Sequence, residues 1–121
     1  MTDTSSPAGS TADLKMPTGG RVLVLGDVIL DSYLRGQVTR ISAEAPVPIL
    51  EVDSEEYRLG GAANVAANLT SLGASCDLIG VVGDDAPGRE FRKLLAHVGV
   101  SDEGLVEDAS RPTSHKTRVV A

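Results

Sequence analysis

Arg21-Val22-Leu23-Val24-Leu25-Gly26-Asp27 decides the fold. A short continuous apolar run closed by Gly-Asp reads as a strand buried on both faces of a parallel sheet. Asp77-Leu78-Ile79-Gly80-Val81-Val82 repeats the pattern and ends in Gly83-Asp84-Asp85. Between the two runs, Gly60-Gly61 opens a helix with Ala62, Val65, Ala66, Leu69 and Leu72 at helical spacing, and Gly73 is placed to stop it. After the second run, Asp85 caps a helix with Pro87 in its first turn. Phe91, Leu94, Leu95 and Val98 form its apolar face, Arg92, Lys93 and His97 lie toward its negative end, and Gly99 closes it. Leu105-Val106 reads as a brief strand and Lys116–Val120 as another, in which the chain ends. Strand, helix, strand, helix, strand predicts an α/β domain with a parallel sheet.

Residues 33–41 and 47–58 interrupt that order with strand-like but more polar sequence. Pro46 and Pro48 keep the second stretch extended and away from a central position. The two stretches predict edge strands or a small separate sheet, inserted at about residues 33–58. Residues 1–19, rich in Ser, Thr, Pro, Gly and Ala, read as a flexible leader before a domain over residues 20–121. No basic start precedes an apolar run, so the leader does not read as a secretory signal.

Composition narrows the function. The 121 residues carry 11 basic and 17 acidic side chains, a net charge of −6. This argues against a nucleic-acid partner, which requires a basic face. The few aromatics, Tyr33, Tyr57 and Phe91, make no stacking platform for bases. No segment is long and apolar enough to predict a membrane span. The single cysteine, Cys76, sits in an apolar stretch and reads as a small core residue in a cytoplasmic protein. His97 and His115 lack metal-ligand spacing, and the expectation is no metal site. His97 reads as part of a helix face and His115 as part of a loop.

Three constellations bear on chemistry. Asp27 follows the first strand, where open α/β sheets bind ligands, and Asp31 lies four residues on. A carboxylate there accepts hydrogen bonds from neighbouring hydroxyls, and the same residues also fit a strand-ending turn. Gly60 and Gly61 let backbone approach a ligand, and Asn64 in the following first turn offers both a donor and an acceptor. Arg40, Arg58, Lys116 and Arg118 are cations suited to a phosphate, with Lys116 and Arg118 on one strand face. A solvated strand face accounts for them equally.

The spacing of Gly60-Gly61-Ala62, Asn64, Ala66, Gly73 and Gly83 resembles the first signature of the ribokinase-like (PfkB) carbohydrate kinases, and the likeness runs from about residue 21 to the end. Leu25–Asp31, Arg40–Pro48 and Thr113–Val119 resemble the heptose 7-phosphate kinase subgroup, which is often fused to an adenylyltransferase. The resemblance implies a partial ribokinase-like parallel sheet with a small inserted β-lid. It implies that Asp27, Gly60, Gly61 and Asn64 hold the sugar. It also implies ATP- and Mg²⁺-dependent phosphorylation of the anomeric hydroxyl of a heptose 7-phosphate, feeding ADP-heptose and lipopolysaccharide. The family's Gly-Ala-Gly-Asp segment, whose Asp takes the hydroxyl proton, is not among these residues. The expectation is an N-terminal part with no catalytic residue, no tight ATP or Mg²⁺ binding of its own and no turnover. It would associate with a second copy through the lid or an open sheet edge. The rival readings are a kinase of another sugar and a non-catalytic sugar-phosphate-binding or oligomerisation module.

Overall fold

A computed structural model describes residues 20–121, so the leader read over residues 1–19 lies outside the described residues. The elements are β1 (Arg21–Leu25), β2 (Val28–Ile41), β3 (Pro48–Gly61), α1 (Ala62–Ser71), β4 (Ser75–Val82), α2 (Ala86–Val98), β5 (Leu105–Glu107) and β6 (His115–Val120). They form two three-stranded sheets. The first is all parallel, in the order β1-β4-β5. The second has the order β3-β2-β6, with β2 antiparallel to β3 and parallel to β6.

The first sheet is the expected α/β core. Its inward residues meet α1 and α2 in one cluster that includes Leu78, Val82, Phe91, Leu95, Val100 and Leu105. Asp85 caps α2 by accepting a hydrogen bond from Gly88 N at 2.8 Å, and Gly99 ends it in the left-handed conformation. The second sheet lays one face on the same core through Val28, Leu30 and Ser32. Val28 packs against Gly80, where a Cβ would come within 2.6 Å of its methyl carbon.

Four expectations are corrected. β1 is not buried on both faces: Leu23 is 61 % and Leu25 73 % exposed, because the helices cover only the other side of the sheet. The buried stripe of α1 is Ala63 and Ala66, and Val65 is 49 % exposed. Small side chains let this helix sit close on the sheet, with Ala62 facing Gly26. The inserted strands begin at Val28 and end at Gly61, so they are longer than residues 33–58 suggested. β6 begins at His115, which was expected in a loop, and joins β2 in the second sheet; it does not extend the parallel core. Alternate β6 side chains, His115 and Thr117, bond Ser32 of β2 and seat it there.

Candidate functional site

The two sheets join at Gly26-Asp27, where the chain leaves β1 and enters β2 within two residues. The Asp27 carbonyl accepts a hydrogen bond from Ala62 N at 2.8 Å, which ties this crossover to the start of α1. Gly61 precedes that helix with φ 59°, and a Cβ on it would collide with the Asp27 carbonyl oxygen. Glycine is therefore required here both by conformation and by the close approach.

From the crossover, alternate residues of β2 and their ladder partners share the face of the second sheet that points away from the core. Asp31 faces Arg58 on β3 and Lys116 on β6, and Tyr33 faces Glu56 and Arg118. The Asp31 side chain is 14 % exposed, with Oδ1 3.4 Å from Lys116 Nζ and 3.8 Å from Arg118 Nη1. Both are ion pairs without hydrogen-bond geometry, so Oδ1 makes no hydrogen bond. An acceptor this deeply placed has capacity for a donor such as a hydroxyl. Gly60 makes its room, since a Cβ there would come within 2.7 Å of Asp31 Oδ2. Tyr33 lies between two guanidinium groups, Arg58 at 4.7 Å and Arg118 at 5.1 Å from the ring centre. Arg118 also donates to the Tyr33 hydroxyl at 2.8 Å, and Arg58 to Glu56 at 2.8 Å.

Asp27 lines two clefts. One, of about 250 Å³, is lined by Leu25 at the end of β1, Gly80 and Val81 of β4, Val106 of β5, and Arg111 and Ser114 of the loop before β6. The other, of about 480 Å³, is shared by Asp27, Ile29, Arg111, Ser114, His115 and Lys116. The loop that carries Arg111 is anchored below. Thr113, buried, donates from its backbone N to Asp85 Oδ2 at 2.8 Å and from its hydroxyl to Asp85 Oδ1 at 2.6 Å. The same hydroxyl accepts from Gly83 N at 2.8 Å. These bonds, the Thr113 hydroxyl first, hold the Asp85 carboxyl below the usual carboxylate range. A Cβ at Gly83 would come within 2.5 Å of the Arg111 carbonyl oxygen, so the glycine permits the loop to cross the strand end.

Of the residues singled out from sequence, Asp27, Asp31, Gly60, Gly61, Lys116 and Arg118 gather at this junction. Arg40 does not. It stands nine residues beyond Asp31 on β2, roughly 30 Å along an extended strand. Asn64 lies in the first turn of α1 but lines a different groove, with Tyr57, Leu94 and His97. Arg111, Ser114, Tyr33 and His115 at the junction were not anticipated. The signal for Arg111 and Ser114 is faint: both flank Pro112-Thr113 just ahead of a strand already suspected of binding phosphate. The arrangement offers carboxylates for hydroxyl donors and guanidinium and ammonium groups for anions. Among the described residues, no three His, Cys, Asp or Glu side chains group as metal ligands.

A model of the family described as "pfkB family carbohydrate kinase" matches residues 20–121. The chain is 54 % identical over 100 residues to the D-beta-D-heptose 7-phosphate kinase of Bordetella bronchiseptica, covering 83 % of this chain and 32 % of that protein. It is 52 % identical over 101 residues to the bifunctional protein HldE of Helicobacter pylori strain J99, covering 84 % of this chain and 22 % of that one. Among solved structures, aminoimidazole riboside kinase from Salmonella enterica, complexed with aminoimidazole riboside and an ATP analog, superposes with a TM-score of 0.59 at 28 % identity. That match covers 81 % of this chain and 28 % of the other. The chain thus spans between about a fifth and a third of each of these proteins.

Proposed function

The chain belongs to the pfkB family of carbohydrate kinases, and on that premise we propose that it forms the sugar-binding side of an ATP-dependent kinase whose acceptor is heptose 7-phosphate. The observation that carries this reading is the 54 % identity to a D-beta-D-heptose 7-phosphate kinase. The chemistry of the junction agrees with it, since a phosphorylated sugar needs both hydroxyl acceptors and a cation. In this reading Asp27 and Asp31 accept hydrogen bonds from sugar hydroxyls. Gly60 and Gly61 let the ring approach the backbone, whereas Asn64, which lines a separate groove, stands apart from this cluster. Lys116 and Arg118 compensate the charge of the 7-phosphate.

ATP with Mg²⁺, when bound, supplies the phosphoryl group, and the acceptor is the anomeric hydroxyl, whose product leads toward ADP-heptose. The described residues include no group of three His, Cys, Asp or Glu side chains that could hold a metal ion. Their part is to bind and orient the acceptor, which lowers the entropic barrier to transfer. The base that takes the hydroxyl proton belongs, by the family pattern, to a Gly-Ala-Gly-Asp segment not found among these 121 residues. The chain by itself is therefore expected to bind sugar phosphate and to show no ATP turnover. A cytoplasmic setting, where ATP is plentiful, and a homodimer through the β3-β2-β6 sheet belong to the same reading.

Isothermal titration of the chain with heptose 7-phosphate, unphosphorylated heptose and ADP tests it. Heptose 7-phosphate should bind best, and ADP weakly or not at all. A preference for fructose 6-phosphate over heptose 7-phosphate would favour a kinase of another phosphorylated sugar. Binding of neither sugar phosphate, together with ATP turnover, would overturn the assignment of sides.

A further inference from the structure

We propose that Arg111 is a phosphate-binding residue of this junction, and that the Asp85–Thr113 contact is the latch that positions it. The proposal rests on the sugar-phosphate reading above and extends it to residues outside the family signature. Arg111 lines both clefts that Asp27 lines, so a ligand touching Asp27 from either side comes within its reach. Its charge is also the least closely paired among the cations of the junction, acting only at longer range on Asp108. Lys116 and Arg118 each lie within 4 Å of Asp31, and Arg58 bonds Glu56. Arg111 has no carboxylate within ion-pairing distance among the described residues, and its side chain reaches only the Ser114 hydroxyl, at 3.3 Å. A guanidinium with free donors, opening on a cleft, is suited to a bidentate grip on phosphate oxygens.

The latch explains why an exposed arginine would be held there. Thr113 is buried two residues on and is fixed by three hydrogen bonds to Asp85 and Gly83. Those partners lie at the end of β4 and the start of α2, so the loop is fastened to the rigid core. Loss of the latch would leave Arg111 present but unaimed.

The phosphate could belong to the sugar or to a nucleotide, and titrations of the 121-residue chain with heptose 7-phosphate, ADP and inorganic phosphate separate the two. Arg111→Ala should weaken heptose 7-phosphate and inorganic phosphate binding about tenfold or more. Unphosphorylated heptose should be unaffected, and Lys93→Ala, which removes an equal charge from the exposed side of α2, should change neither. Thr113→Val should reproduce part of the loss and Thr113→Ser should restore it, a pattern that mere loss of fold would not give if the circular dichroism of both variants is unchanged. A loss confined to ADP would assign Arg111 to a nucleotide phosphate and overturn its role toward the sugar. Retained phosphate affinity in Arg111→Ala, with affinity lost in Lys116→Ala, would overturn the inference and leave the kinase reading standing. Failure of the wild-type chain to bind any of the three would overturn the inference too.

Discussion

The β1-β4-β5 sheet and the β3-β2-β6 sheet meet at Gly26-Asp27 but bury their side chains in different ways. The first packs one face under α1 and α2, with Leu78, Val82, Phe91 and Leu95 sealed between them. The second packs only its base, through Val28, Leu30 and Ser32. Beyond it β2 and β3 run out to a tip where Val38, Ile41 and Val47 are exposed. Stability therefore concentrates in the first sheet, while the second presents polar chemistry on a surface that the core leaves free. Candidate binding groups stand where the two regimes adjoin, supported by the core and open to ligand.

The largest expected effect tests this contrast directly. Phe91→Ala empties a fully buried position, and the lost transfer energy plus the cavity should cost about 3–5 kcal/mol in urea unfolding. Val38→Ala, on the exposed length of β2, should change stability by less than about 0.5 kcal/mol. Similar losses at the two positions would show that the tip is buried by association, as a dimer through this sheet requires. Repeating the measurement across protein concentration would expose that.

The junction comes next. Gly61→Ala forces a side chain into φ 59°, ψ −135° and against the Asp27 carbonyl, so about 2–3 kcal/mol of stability should be lost. Asp27 would have to shift, and sugar binding should fall with it. An unaffected melting temperature would mean that the two sheets can slide at the crossover and are less firmly joined than the glycine contacts imply.

How the two sheets read in sequence follows from the same contrast. β1, β4 and both helices were legible because apolar periodicity, the Asp85 cap and Gly99 are local signals. The separate character of the second sheet was legible from its polar strands and from Pro46 and Pro48, and β3 is indeed an edge. The place of β6 was not. Its pairing joins Asp31 to Lys116 and Tyr33 to Arg118 across some 85 residues, and a run such as His115-Lys116-Thr117-Arg118 carries no mark of its partner. The exposed face of β1 was missed because an apolar run does not tell which of its faces the described chain covers. In the site, Gly60 and Gly61 announced themselves by spacing, as did Asp27 by following a strand. Arg111 did not, since a loop arginine acquires meaning only through the Asp85–Thr113 contact across 28 residues.

That contact gives a smaller effect with a pH signature. Asp85→Ala removes the α2 cap and the Thr113 bonds, and should cost about 1–2 kcal/mol at neutral pH. The folded Asp85 carboxyl titrates below its ordinary value. Its contribution is thus fully present above the unfolded value of about 3.9 and is lost as pH falls through the lower folded value. Asp85→Asn, which keeps a capping oxygen, should flatten this acid limb of the stability curve. An unchanged acid limb would mean that Asp85 is not what joins the Arg111 loop to the core.

The smallest effect is expected at Arg21 and Asp77, whose pairing links the edge strand β1 to the central β4. Their side chains are 76 % and 41 % exposed, and the Arg21 guanidinium bonds both Asp77 oxygens. The pairing raises the arginine and lowers the aspartate from their ordinary values. In water, though, ordering two side chains and salt screening offset most of the attraction. Asp77→Asn should therefore leave the unfolding midpoint unchanged at 0.15 M salt and lower it only slightly at low ionic strength. The backbone ladder between Arg21–Leu25 and Ser75–Ile79, together with Val24 and Leu78 beneath it, is sufficient to fix this edge. A clear loss at physiological salt would reverse that ranking. It would mean that β1, with one face exposed, depends on its terminal ion pair for register, and that the parallel sheet is the less secure of the two.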